Sequence, residues 1–248
     1  MTTTLITGAS SGLGAEMARQ LAARGHDLAL CARRTDRLEA LRDEICTADP
    51  RRRVEVRSLD VVDDDQVFEV FRGFHTDLGT IDRVVVNAGL GKGAPLGTGG
   101  HAANRETAVV NFLGALAQCD AAMEIFRAQE RGHLVMVSSM SALRGMPKTL
   151  TTYAATKAGV AHLAEGLRHE LYGTDIKVTV LYPGYIASEM NEHVRDRTPM
   201  MVSTEKGVRS MVTAIEKEKA EACVPALPWA LLAPVMRHAP LPVLKRLL

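Results

Sequence analysis

The sequence predicts an α/β domain: a doubly wound parallel sheet with helices on both faces. Two observations carry that prediction. Short β-branched or apolar runs alternate with amphipathic stretches of helical length along most of the chain. A glycine-rich turn, Thr7-Gly8-Ala9-Ser10-Ser11-Gly12-Leu13-Gly14, closes the first run and opens the first helical stretch.

In chain order, residues 2–7 read as a strand from four threonines around Leu5-Ile6, and residues 12–24 as a helix with Leu13, Met17 and Leu21 four apart. The apolar run in 26–32 predicts a second strand. A helix over 36–47 follows from Leu38, Leu41 and Ile45. Alternating Val54 and Val56 predict a strand over 53–58, and Val67, Val70, Phe71 and Phe74 a helix over 64–76. Strand 83–87 centres on three valines. Helix 102–129 is long and rich in alanine, strand 133–137 is Leu-Val-Met-Val after a histidine, and helix 152–172 carries a ladder of small residues. Strand 177–182 and helix 204–219, with Val208, Met211, Val212 and Ile215 on one face, complete the alternation.

Nothing divides the chain into two domains, so 1–222 is expected to be one domain, with a substrate loop at about 189–203. Six glycines in 89–100 mark another loop just after a strand. The tail, 223–248, has five prolines, Trp229, many leucines and no acidic side chain. It is expected to cover the site, pack on a partner subunit or touch a membrane surface peripherally.

The 248 residues are 46% hydrophobic, enough for a sizeable core. Thirty basic against 29 acidic side chains leave no net field to draw nucleic acid, and none is expected as a partner. Cys31, Cys46, Cys119 and Cys223 lack paired spacing, which fits reduced thiols in a cytoplasmic protein. The eight histidines show no metal spacing, so no metal is expected. The first residues carry no basic or apolar leader, and no run is expected to reach membrane-spanning length.

A Gly-rich turn between strand and helix lets the backbone approach a pyrophosphate, whose charge the helix amides stabilise. An ordinary tight turn is the bland alternative. Arg33 and Arg34 end the second strand, where a carboxylate would select ribose hydroxyls; guanidinium groups there suit a phosphate, or else form a solvated basic pair. Tyr153 and Lys157 are four apart on a helix and share a face, so the ammonium can favour the phenolate. A bare pair of this kind also occurs on many amphipathic helices.

Thr-Gly-x-x-x-Gly-x-Gly at Thr7–Gly14, Asn87-Ala88-Gly89, Tyr153-x-x-x-Lys157 and the serines near 139 together resemble the compact branch of the short-chain dehydrogenase/reductase family, over about residues 2 to 190. The resemblance implies a Rossmann fold, a nicotinamide cofactor and interconversion of a carbonyl and an alcohol. It implies cofactor contacts from Gly8, Ser10, Ser11, Gly12, Leu13 and Gly14 in the loop and from Arg33 and Arg34 toward the 2′-phosphate of NADP(H). Asp60-Val61 would meet the adenine, Asn87, Ala88 and Gly89 the ribose, and Pro183, Gly184, Ile186 and Ser188 the nicotinamide side. Ser188 replaces the family's usual threonine.

In the implied mechanism Tyr153 exchanges a proton with the reacting oxygen, Ser139 hydrogen-bonds that oxygen, Lys157 also holds the ribose, and Asn111 anchors a relay water. Ser139 precedes Tyr153 by fourteen positions, one more than the family's commonest spacing, and Ser141 is its rival. The expected substrate is a small lipophilic carbonyl or alcohol, given Met190, Met200, Met201 and Val202 in the substrate loop. The resemblance also implies a homodimer or homotetramer. Rival functions are a non-catalytic NADP-binding regulator and a nucleotide-sugar epimerase; the first does not need the full catalytic set, and the second needs a C-terminal domain for which 248 residues leave no room.

Overall fold

A computed structural model describes residues 2–189 and 200–247. Seven strands form one parallel sheet in the order β3-β2-β1-β4-β5-β6-β7. They are β1 (Thr3–Thr7), β2 (Asp27–Ala32), β3 (Val54–Ser58), β4 (Arg83–Val86), β5 (Arg131–Val137), β6 (Asp175–Pro183) and β7 (Glu221–Val224). The order reverses between β1 and β4, so a crevice opens there at the carboxyl ends of the strands.

Helices α1 (Gly12–Ala22), α2 (Thr35–Ala48) and α7 (Thr204–Glu216) cover one face, burying Met17, Leu21, Leu38, Val208 and Met211 against Ile6, Leu28, Leu30 and Val135. On the other face, α3 (Asp64–Leu78), α5 (Gly114–Gln129) and α6 (Thr151–Glu170) enclose Phe71, Phe74 and Phe126 with Leu5, Val84 and Leu134. Strands covered on both faces are nearly continuous apolar runs, as in β2, where every residue after Asp27 is apolar and buried.

Three features depart from the sequence expectations. The helix expected over 102–129 is α4 (His101–Ala108) and α5 joined by a π-helical turn at Val109–Leu113. Taken as one 29-residue helix, it is long and apolar enough to cross a bilayer, contrary to the expectation that no run would be; yet two-thirds of its most apolar window is buried inside the protein, as in a core helix.

The second departure is β7, which pairs with β6 from Val180↔Glu221 to Pro183↔Val224 and so carries the sheet past residue 222. The third is that the proline-rich tail folds as α8 (Ala226–His238) and α9 (Leu241–Leu247). Leu227 is extended (φ −101°, ψ 136°), so the regular helix begins at Pro228, where a proline needs no amide donor. Trp229, Ala233 and Met236 pack this helix into the core, while Leu227 and Leu231 stay about 70% exposed.

Candidate active site

The glycine loop is shaped by close approaches. Gly8 and Gly12 have φ of +64° and +54°, conformations that glycine adopts without steric cost. A Cβ on Gly14 would stand 2.4 Å from the Gly8 carbonyl oxygen, so only glycine lets α1 start this near the loop. Ser11 at the N-cap makes no side-chain capping bond, and the first turn of α1 has no acid. Its amides and the positive end of the helix therefore face the crevice without a carboxylate of their own helix in front of them.

Neighbouring strand ends hold this loop in place. The Thr7 hydroxyl accepts from the amides of Asn87 and Ala88, both at 3.0 Å, while Asn87 Nδ2 donates to the Thr7 carbonyl at 2.9 Å. A Cβ on Gly8 would stand 2.9 Å from the backbone Cα of Ala88, so this close approach of the two strand ends requires glycine at position 8.

One cavity runs along the crevice and brings most of the expected site together. Gly8, Ser11, Gly12 and Leu13 line it with Arg33, Arg34, Asp60, Val61, Asn87, Ala88 and Gly89. Ser139, Tyr153 and Lys157 line its other end, and Pro183, Gly184, Ile186 and Ser188 complete the wall. Ser10, Gly14 and Asn111 stand behind this lining. Asp63, not Asp60, caps α3, accepting from Gln66 N at 3.0 Å, which leaves the Asp60 carboxylate at the cavity wall.

At the catalytic end, Tyr153 lies in the first turn of α6 and hydrogen-bonds Ser139. Ser141 donates to Ser139 Oγ twice, from its amide at 3.2 Å and its hydroxyl at 3.0 Å. With its oxygen accepting those bonds, the Ser139 hydroxyl hydrogen is left to point at Tyr153 or a ligand oxygen. Between the rival serines, Ser139 lines the cavity and Ser141 supports it from behind.

Lys157 Nζ donates to the Val137 carbonyl at 2.9 Å and lies 5.9 Å from the centre of the Tyr153 ring, at cation–π distance. Burial pushes the Tyr153 phenol above its ordinary pKa, and the Ser139 hydrogen bond only partly offsets that. Burial brings Lys157 down to about 8.

Asn111 sits on the π-helical turn with both ends of its amide taken by one residue. Oδ1 accepts from Leu90 N and Nδ2 donates to Leu90 O, each at 2.8 Å. The side chain thus clamps the backbone beside Gly89. A Cβ on Gly89 would lie 3.1 Å from Asn111 Oδ1 and 3.5 Å from Lys157 Nζ, so the clamp also explains that glycine.

Arg37 escaped the sequence reading, and Glu189 entered it only as the start of the substrate loop. Arg37, in the first turn of α2, and Glu189, just past the Pro-Gly segment, form an ion pair at 2.6 Å, and Glu189 lines the cavity. An arginine in a helix and a carboxylate 152 positions later carry no local signal of each other. Residues 190–199 of the expected substrate loop, with Met190, lie outside the described residues; Val202 N donates to Tyr185 O at 3.0 Å, and Val202 O accepts from Ala187 N at 2.9 Å. Among the described residues no cluster of histidine, cysteine or carboxylates is placed to hold a metal, and the four cysteines are unbridged.

The residues present fit a dinucleotide: a Cβ-free cradle at a helix N-terminus, guanidinium groups at one end and a phenol at the other. Comparison with known proteins agrees. The family described as short chain dehydrogenase matches residues 2–199. An uncharacterized oxidoreductase of Mycobacterium tuberculosis is 50% identical over 232 residues, covering 94% of this chain and 91% of its own. One of Myxococcus xanthus is 36% identical over 240 residues, covering 97% and 92%. Among solved structures, an alcohol dehydrogenase from the archaeon Thermococcus sibiricus complexed with 5-hydroxy-NADP superposes with a TM-score of 0.78 at 26% identity, over 90% of this chain and 95% of that one. This chain belongs to the short-chain dehydrogenase/reductase family of oxidoreductases.

Proposed function

We propose that the protein is an NADP(H)-dependent oxidoreductase that interconverts a lipophilic carbonyl and its alcohol, with Tyr153 as the general acid and base. The observation that carries this reading is a single cavity lined by the glycine loop and Arg33-Arg34 at one end and by Ser139, Tyr153 and Lys157 at the other. The relative bound to 5-hydroxy-NADP, an alcohol dehydrogenase, supports both the cofactor and the reaction class.

In this reading Gly8, Ser10, Ser11, Gly12, Leu13 and Gly14 build the pyrophosphate cradle, and Arg33 and Arg34 meet the 2′-phosphate. Asp60 and Val61 meet the adenine, and Asn87, Ala88 and Gly89 flank the ribose. Pro183, Gly184, Ile186 and Ser188 wall the nicotinamide, whose bound ring supplies or accepts the hydride.

For reduction, the Tyr153 phenol gives its proton to the substrate oxygen as the new C–H bond forms at the carbonyl carbon. A phenol held above its ordinary pKa is fully protonated at neutral pH and ready for that step. The phenolate left behind is stabilised by the Ser139 hydroxyl and by the field of the Lys157 ammonium. These interactions strengthen as charge develops, which is what lowers a barrier. Asn111 acts by position, fixing Gly89-Leu90 against α6.

Leu90, Val110, Val137 and Ile186 make the walls near Tyr153 apolar, which favours a lipophilic substrate over a sugar. Self-association through α5 and the π-helical turn before it, where Leu116 and Leu113 are 39% and 52% exposed, belongs to the same reading. The test is a panel of carbonyls and alcohols followed by NADPH absorbance, with Tyr153→Phe beside the wild type. Turnover should fall by about 10²–10⁴-fold in the variant. Equal turnover in both would remove Tyr153 as the proton donor.

A further inference from the structure

The Glu189 carboxylate closes a bridge across the phosphate end of the cavity. Oε1 accepts from Arg37 Nη1 at 2.6 Å, and Oε2 from Arg34 Nη1 and Nη2 at 3.3 and 3.4 Å. Arg34 also donates to Ser11 Oγ at 2.6 Å and Ser10 Oγ at 3.3 Å, so the same guanidinium spans the glycine loop and the segment after β6. Ser188, the neighbour of Glu189, lies over the loop, with its Cβ 3.5 Å from a Cβ position on Gly12. The arginines, Arg37 foremost, hold the Glu189 carboxyl below its ordinary range, so it is ionised at neutral pH.

We propose that Glu189 is a specificity-determining residue: its carboxylate competes with the cofactor's 2′-phosphate for Arg34 and Arg37, and so sets the margin by which NADPH is preferred over NADH. The proposal rests on the NADP(H) reading above. A phosphate monoester carries about −1.5 to −2 charge near pH 7 and three acceptor oxygens, against one charge on a carboxylate, so the phosphate displaces Glu189. It binds less tightly than it would to guanidinium groups that faced only water. NADH carries no charge at the ribose 2′ position and has no part in this competition.

The test is a fluorescence titration of NADPH and of NADH against wild type, Glu189→Gln, Glu189→Lys and Arg34→Ala. Removing an exposed charge competitor should tighten NADPH about two- to fivefold in Glu189→Gln, more in Glu189→Lys, with NADH moving less than twofold. The gain should shrink as salt is raised from 0.02 to about 0.5 M, because the pair is half exposed. An unchanged NADPH-to-NADH ratio in Glu189→Gln, weaker NADPH binding, or equal tightening of both cofactors would overturn the competition. If wild type binds both cofactors alike and Arg34→Ala weakens them equally, the NADP(H) reading fails and takes the proposal with it. A clear wild-type preference with Glu189→Gln silent defeats only the role of Glu189.

Discussion

Gly184 and Trp229 share one space: a Cβ on Gly184 would lie 2.0 Å from the indole nitrogen of Trp229. Trp229 is buried, and its ring meets Tyr185 edge-on at 5.5 Å. Helix α8 therefore forms the support behind the Pro183-Gly184 wall of the cavity, which ties the tail to the site.

Gly184→Ala should destabilise the protein by about 1–3 kcal/mol, the usual cost of overpacking a filled site. For a domain of this size that is a fall in Tm of roughly 2–4 °C per kcal/mol. Trp229→Leu in the same chain should recover part of the loss, because the two side chains would no longer contend for one volume. Thermal melts of the four corners of this cycle measure the coupling, and additive losses would show that the contact is relaxed elsewhere.

Lys157 sits at about 8, so its ammonium discharges within the working pH range. Carbonyl reduction uses both the charged lysine and the protonated phenol. Its kcat/KM should be level below pH 8 and fall by up to about tenfold per unit above it, since that ratio reports the free enzyme. A profile that stays level to pH 10 would contradict the assignment.

Arg33 is exposed at the cavity wall, whereas Arg34 is anchored to Ser10, Ser11 and Glu189. Arg33→Ala and Arg34→Ala should each weaken NADPH by roughly 10- to 100-fold, from about 1.5–3 kcal/mol for a hydrogen bond to a charged group. NADH should change by less than about threefold. Parallel titrations of the two cofactors check this, and equal losses would remove the phosphate contact.

At the opposite edge of the sheet, Arg83 Nε donates to His133 Nδ1 at 3.0 Å, and His133 Nε2 meets Thr179 Oγ1 at 2.7 Å. Burial first, and then the neighbouring Arg83 charge, bring His133 down to about 3; burial likewise lowers His26. An unfolded histidine takes up its proton near pH 6.5 and the folded His133 only near 3, so stability is full above 6.5 and drains as the pH falls between those values. Denaturation midpoints at pH 7 and 5.2 should show that loss in wild type. His133→Gln should show a smaller pH dependence, and an equal slope in both would place the effect elsewhere.

Much of this protein was legible in its residues because the signals are local. Periodicity in Leu38-Leu41-Ile45 or Val67-Val70-Phe71-Phe74 reports a buried helix face wherever the helix lands, and six strands and six helices follow from such patterns. The turn Thr7–Gly14 announces itself because tight backbone geometry demands glycine at fixed spacing. Many of the residues that line the cavity were readable for a related reason: Gly8, Arg33, Asp60, Asn87, Ser139 and Pro183 stand at or just after strand ends, and parallel strands bring those ends to one edge.

Tertiary structure alone decided what depends on distant partners. The four residues of β7 carry no alternation and become a strand only because β6 offers a free edge. The tail, with prolines at 228 and 234, becomes helical where Trp229 and Met236 have a core to fill. The π-helical turn at Asn111, the 5.9 Å that separates Lys157 from the Tyr153 ring, and the Glu189 bridge to Arg34 and Arg37 are likewise outcomes of packing. A chain records which residues prefer to be buried or turned; which groups meet across 50 or 150 positions is settled by the close-packed whole.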